Sequence, residues 1–203
     1  CQKIQNKNRD LLNDVKIIQR AGLQVQGGFI VGFDSDSPSI FQQLIDFIQK
    51  SGIVTAMVGL LQAPPGTRLF DRLKKDNRLL GMTISGDNVD GTTNIDPKMG
   101  LDQLMTGYRF IMGHIYSPKH YYQRVKVFLK EFGNSKVDTR IDLQRFLAFF
   151  RSSIRLGILG KERFHYWRLM TWTLVRKPRL LPLAVTLAIY GHHFRRICET
   201  HIL

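Results

Sequence analysis

Two short apolar runs, residues 24–31 and 53–61, are separated by a segment of helical periodicity, and this order constrains the fold more than any other feature. The first run enters a polar turn without slack in Gly27-Gly28-Phe29-Ile30-Val31-Gly32-Phe33-Asp34-Ser35-Asp36-Ser37-Pro38. Bounded by glycines, it reads as a buried strand of a parallel sheet. Paired glycines inside a strand mean that something comes close to the backbone. Asp36 or Ser37 offers a cap and Pro38 a first helical position, so a helix should follow to about Ser51. Its apolar face is Ile40, Phe41, Leu44, Ile45, Phe47 and Ile48, and Gly52 ends it. An earlier stripe, Leu11, Leu12, Val15 and Ile18, closes at Gly22 as another helix. Helix, strand, helix, strand at this spacing is a right-handed βαβ unit with its lead-in helix. Ligands of such sheets bind at the carboxyl ends of the strands, which makes the turns after residues 31 and 61 the candidate site.

The second run ends in Gln62-Ala63-Pro64-Pro65-Gly66-Thr67, where Thr67 can cap a short helix from Arg68 to Asp76. Residues 81–100 are rich in Gly, Asp, Asn and Thr and read as an ordered loop with at most a short strand at Thr93–Ile95. Beyond Gly100 the pattern is helical throughout: Leu101–Tyr116, Pro118–Gly133, about Ile141–Leu156, Lys161–Arg176 and Arg179 to about Thr200. The expected organisation is therefore α/β then all-α, with domains at 1–100 and 101–203.

The net charge of +14 is uneven: residues 1–118 hold 13 Lys and Arg against 11 Asp and Glu, and residues 119–203 hold 17 against 5. The second half thus has either a solvated basic surface or an anionic partner, with peripheral membrane contact favoured over nucleic acid. Leu180–Gly191 is the most apolar segment, but its twelve residues include Pro182 and fall short of the roughly 20 that cross a bilayer. The aromatic residues Phe164, Tyr166, Trp167, Trp172, Tyr190 and Phe194, mixed with arginines, read either as core or as a surface against a membrane face. Cys1 and Cys198 form no disulfide or zinc pattern, which fits a reducing cytoplasmic setting. His192, His193, Cys198 and His201 form a cluster of soft ligands, but His193, Glu199 and His201 do not share one helix face cleanly and Arg195 and Arg196 repel a cation, so no metal site is expected. The loop aspartates Asp34, Asp36, Asp87 and Asp90 are read as bonding their own turns.

Asn8-Arg9 before a helix, Ala21-Gly22 ending it, Gly28-x-Ile30-x-Gly32 on the strand and Pro65-Gly66-Thr67 after the next strand together resemble the later half of a radical S-adenosylmethionine domain. The likeness is to cobalamin-binding-domain-containing proteins of that family with a helical C-terminal domain. It implies a partial (β/α) barrel whose mouth binds a [4Fe-4S] cluster and S-adenosylmethionine, with cobalamin as a further cofactor of the parent. Reductive cleavage there would yield a radical that abstracts hydrogen from an unreactive carbon of a small-molecule or lipid substrate. The cofactor-facing positions so implied are Gln26, Gly28, Ile30, Gly32 and Asp34 on the first strand and its tip, and Gln62 and Ala63 on the second. Arg9 matches a position that meets the cofactor's carboxylate, which a guanidinium fork suits. Phe33-Asp34-Ser35-Asp36 replaces most of the family's glycine, proline, glycine, glutamate turn. The three-cysteine C-x-x-x-C-x-x-C loop that would hold the cluster is absent. Two expectations follow: the chain is a piece lacking the N-terminal half of the barrel, or a degenerate relative, and in either case it is inactive alone.

Overall fold

The computed structural model describes residues 9–81, 91–133 and 149–202, and its elements follow the expected order. Helix α1 (Leu11–Arg20) is capped by the Asp10 carboxylate, leads into strand β1 (Gln26–Val31) and is followed by α2 (Ser39–Ser51) and strand β2 (Thr55–Leu60). The two strands pair in parallel, Gln26 opposite Thr55 through Val31 opposite Leu60. Gly52 ends α2 in the left-handed conformation, with φ 71°, where a side chain would meet the backbone of the helical half. Thr67 caps α3 (Arg68–Lys75) as its sequence position requires, its hydroxyl accepting the Phe70 N–H. Of the expected strand at Thr93–Ile95, only one antiparallel bridge forms, Leu79 to Ile95.

The remainder is helical: α4 (Leu101–Ile115), α5 (Pro118–Glu131), α6 (Arg163–Arg176) and α7 (Leu181–His201). The helix expected from Ile141 begins outside the described residues; from residue 149 it is helical, and it widens into a π-helical turn at Ser153–Ile158. One 3₁₀ turn, Pro178–Leu180, separates α6 from α7. Proline at 178 and 182 has no amide to continue a ladder, so both stand where a helix starts.

One face of the sheet is covered. Val31, Ala56, Val58 and Leu60 pack with Phe41, Ile45 and Ile48 of α2 and Leu104 and Ile111 of α4 in a cluster that runs on through α5, α6 and α7. Gly107 lets α4 approach α2, since a Cβ there would lie 2.2 Å from the Phe41 ring. The other face is open along β1 and at Met57, while Thr55 and Gly59 of β2 are buried, which corrects the reading of β1 as a buried strand: its burial alternates, with Gln26, Gly28 and Ile30 outward. Helix α1 departs from expectation in the same way. Of its apolar stripe, Leu11 and Ile18 are exposed and Val15 packs on the core, while the buried contact is polar: Gln19 Nε2 donates to Ser51 O at 3.1 Å.

Arg124 on α5 is fully buried and joins the two halves. One terminal nitrogen donates to Gln49 Oε1 (2.6 Å) and Ile115 O (2.8 Å), the other to Val54 O (3.3 Å). Its guanidinium lies over the Tyr121 and Tyr116 rings, 5.2 and 5.8 Å from their centroids. Burial pulls its pKa down, but arginine starts so high that the charge remains. Removing it leaves three acceptors unpaired beside a cavity. Arg124→Ala should therefore lower unfolding free energy by about 3 kcal/mol in guanidinium titration, and a loss below about 0.5 kcal/mol would contradict the role given to it.

Candidate functional site

The two strand tips lie side by side, because Leu61 N–H continues the ladder by donating to Val31 O at 2.8 Å. At the first tip Gly32 has φ +104°, and a Cβ there would be 3.0 Å from Leu104, so the sharp exit from β1 requires glycine. The Asp36 carboxylate folds back and accepts the Gly32 and Phe33 N–H groups, each at 3.0 Å. It therefore does not cap α2; nor does Ser37, whose hydroxyl pairs with that of Ser39. Asp34 accepts from Arg78 at 2.8 Å and Arg72 at 3.1 Å. The hydrogen bond from Arg78 holds its carboxyl below the usual aspartate range. Arg78 also donates to Asp96 O, so Asp34 ties the tip of β1 to α3 and to the loop beyond it.

The second tip is held by residues the sequence reading did not single out. Asn94, buried in the loop before α4, accepts the Ala63 N–H at 2.8 Å and donates to Ala63 O at 2.9 Å, acting as a neighbouring strand would. Thr93 Oγ1 donates to Leu61 O at 2.7 Å. Both polar groups of the Ala63 backbone are thereby occupied. Gln62 Nε2 donates to Thr92 O at 3.1 Å, while its Oε1 is buried and has no partner among the described residues. The available signal was an asparagine directly before the apolar Ile95 in a loop otherwise poor in apolar side chains.

Of the eight expected site residues, the structure brings Gln26, Gly28 and Ile30 together on the bare face of β1, and Gly32, Asp34, Gln62 and Ala63 at the tips. Arg9 is exposed and pairs with Asp14 at 2.9 Å. Asn8, Cys1, Asp87 and Asp90 lie outside the described residues. A Cβ added at Gly28 would meet nothing within 4 Å. Beside that opening stand two large apolar side chains left in water, Ile30 (51% exposed) and Met57 (44% exposed). Bare backbone edged by apolar groups accepts a flat ring, and Gln26 adds an amide at its margin.

Other titratable clusters serve the core. His114 and His120 stack with centroids 3.7 Å apart, and burial lowers both pKa values, which favours the neutral rings. Glu162, buried at the start of α6, pairs with Arg195 and with His192 Nδ1. Burial pushes the Cys198 thiol up to about 11, so the side chain is a neutral thiol at neutral pH. Among the described residues no three His, Cys, Asp or Glu side chains converge on a metal position.

Residues 67–202 match the family model of a domain of unknown function, DUF4070. The chain is 30% identical over 202 residues to an uncharacterized methyltransferase of Synechocystis sp., covering 98% of this chain and 38% of that protein. It is 29% identical over 174 residues to the hopanoid C-2 methylase of Rhodopseudomonas palustris, covering 82% and 32%. Over 76 residues it is 36% identical to the bacteriochlorophyllide d C-12(1)-methyltransferase of Chlorobaculum tepidum, covering 36% and 17%. The chain thus spans 38% and 32% of the length of the first two relatives. No solved structure matches it.

The Asp34 clasp has a pH signature. A depressed folded-state pKa gives stability that is complete above the unfolded-state value of about 3.9 and lost as pH falls through the folded value. Asp34→Asn should cost about 1–2 kcal/mol at neutral pH, with the gap from wild type closing in acid, as read by urea unfolding across a pH series. A gap that stays constant down to the acid limit would contradict the clasp.

Proposed function

This chain belongs to the DUF4070 family, and from that premise we propose that it forms one wall of the cofactor cleft of a radical S-adenosylmethionine methyltransferase. The observation that carries this reading is the open face along β1 and at Met57. A two-stranded sheet that buries one face under α2 and α4 and leaves Ile30 and Met57 in water on the other is an incomplete layer. The exposed apolar residues Leu11 and Ile18 of α1 give a second uncovered surface. Both fit the later half of a (β/α) barrel, with the bare face toward its lumen. The relatives, two methyltransferases and a methylase each longer than this chain, support the class of reaction.

In this reading Gly28 lets the adenine lie on the backbone, Ile30 and Met57 exclude water along its edge, and Gln26 offers a polar contact to the nucleoside. Asp34, Asp36 and Asn94 hold the tips in place and do not contact the cofactor themselves, because their polar atoms are committed to protein partners. Bound S-adenosylmethionine would supply the activated sulfonium carbon chemistry. The chain offers no fit for an iron–sulfur cluster: among the described residues its one cysteine is Cys198, buried in the helical half. The cluster, and cobalamin if the reaction uses it, belong to other parts of the protein. This chain alone would then be inactive, and its substrate is a small molecule or a lipid.

The test uses the full gene product that contains this chain. Equilibrium dialysis with S-adenosylmethionine should show affinity falling about tenfold or more in Gly28→Val, where the added branch fills the space for the ring. Unchanged affinity in a folded Gly28→Val protein would overturn the wall. A gene product with no three-cysteine loop would overturn the radical chemistry.

A further inference from the structure

The outer side of α6 is built unlike the rest of the helical half. Phe164, Trp167, Thr171, Leu174 and Val175 recur at helical spacing on the side opposite the buried Tyr166, Leu169, Met170 and Thr173. Phe164 is 75% exposed and Val175 78%, far more than a solvated helix of a folded domain ordinarily leaves. The stripe continues beyond the helix. Trp167 Nε1 donates to Gly157 O at 2.9 Å and fixes the π-helical turn beside it, where Ile158 and Leu159 are also exposed, Leu159 to 78%.

The charges around this stripe have one sign. Residues 149–180 carry eight arginines and lysines and a single acid, Glu162, which is buried against Arg195 and His192. On one flank Lys126, Lys130, Trp172, Arg176 and Lys177 line a cavity of about 420 Å³ between α5 and α6. Lys126 Nζ lies 4.9 Å from the Trp172 ring centroid. Burial, then the charges of Arg168, Lys130 and Arg176, lower the Lys126 pKa, as expected where cations stand close together.

We propose that the outer face of α6 and the adjoining turn at Ile158–Leu159 dock this protein on an anionic lipid bilayer. Apolar and aromatic side chains project on one side, and arginines and lysines at their margin meet lipid phosphates. A protein partner with a mixed-charge rim would call for acids here as well as bases, and residues 149–180 offer only the buried Glu162. Helix α6 has 14 residues, or about 21 Å, and lies in the interface rather than across it. No described helix is long and apolar enough to cross a membrane. This proposal does not rest on the cofactor cleft.

Co-sedimentation of the 203-residue chain with vesicles of phosphatidylcholine, alone or mixed with phosphatidylglycerol, tests it. The chain should bind the mixed vesicles and not the neutral ones, with Trp167 fluorescence shifting to the blue. The double variant Phe164→Ser, Val175→Ser should partition about tenfold more weakly at unchanged circular dichroism, because both side chains lose their apolar burial. Arg168→Gln with Arg176→Gln should weaken binding by a similar factor and make it less sensitive to salt. Absence of binding overturns the proposal. So does binding that survives the double serine variant, which would be adsorption by charge alone, or a stripe covered by self-association that leaves no chain on the vesicles.

Discussion

Arg124 is the constraint on which the arrangement of the two halves depends. A guanidinium placed at the end of α4, the end of α2 and the start of β2 can pair its two terminal nitrogens only while Ile115, Gln49 and Val54 are all in place. A buried cation without a carboxylate is stable here because carbonyl dipoles and two tyrosine faces replace the water it lost. The rings are fixed in turn: Tyr116 O–H donates to Ala56 O and Tyr121 O–H to Leu187 O, which extends the network from β2 to α7. The helical half is therefore fastened to the covered side of the sheet, and the other side stays free.

That asymmetry gives the strand tips their character. Polar groups that a reader would assign to a ligand are used internally: Asp36 on the Gly32 and Phe33 amides, Asp34 on Arg72 and Arg78, and Asn94 on both backbone groups of Ala63. What remains accessible is backbone and hydrocarbon, Gly28 with Ile30 and Met57, together with the amide of Gln26. Such a surface favours a flat, mostly apolar ring and gives little purchase to a phosphate or a metal ion.

The βαβ unit and the switch to helices were legible because they rest on local rules: apolar period, the glycine at 52 and the hydroxyl cap at Thr67. Thr67 forms its cap because its hydroxyl can accept the Phe70 N–H while donating to Pro64 O, whereas the Asp36 carboxylate is drawn to the bent backbone at Gly32, where two amides donate to it. The bare face of β1 was not legible, since alternation through Gln26, Gly28 and Ile30 looks the same whether the outward face meets water or another layer. Asn94 was hidden for a related reason: its role depends on a partner 31 residues away. The stacked pair His114 and His120 looked isolated in sequence, although their six-residue separation spans the turn between α4 and α5 and brings the rings together.

The most direct measurement of the central claim is where a photoreactive nucleoside analogue attaches. Irradiating the full gene product with 8-azido-S-adenosylmethionine and mapping the adduct by peptide mass spectrometry should place the label within residues 26–34 or 57–63, with natural S-adenosylmethionine competing it away. Labelling confined to α4–α7, or labelling that the natural cofactor does not displace, would contradict the sheet face as the wall of the cleft.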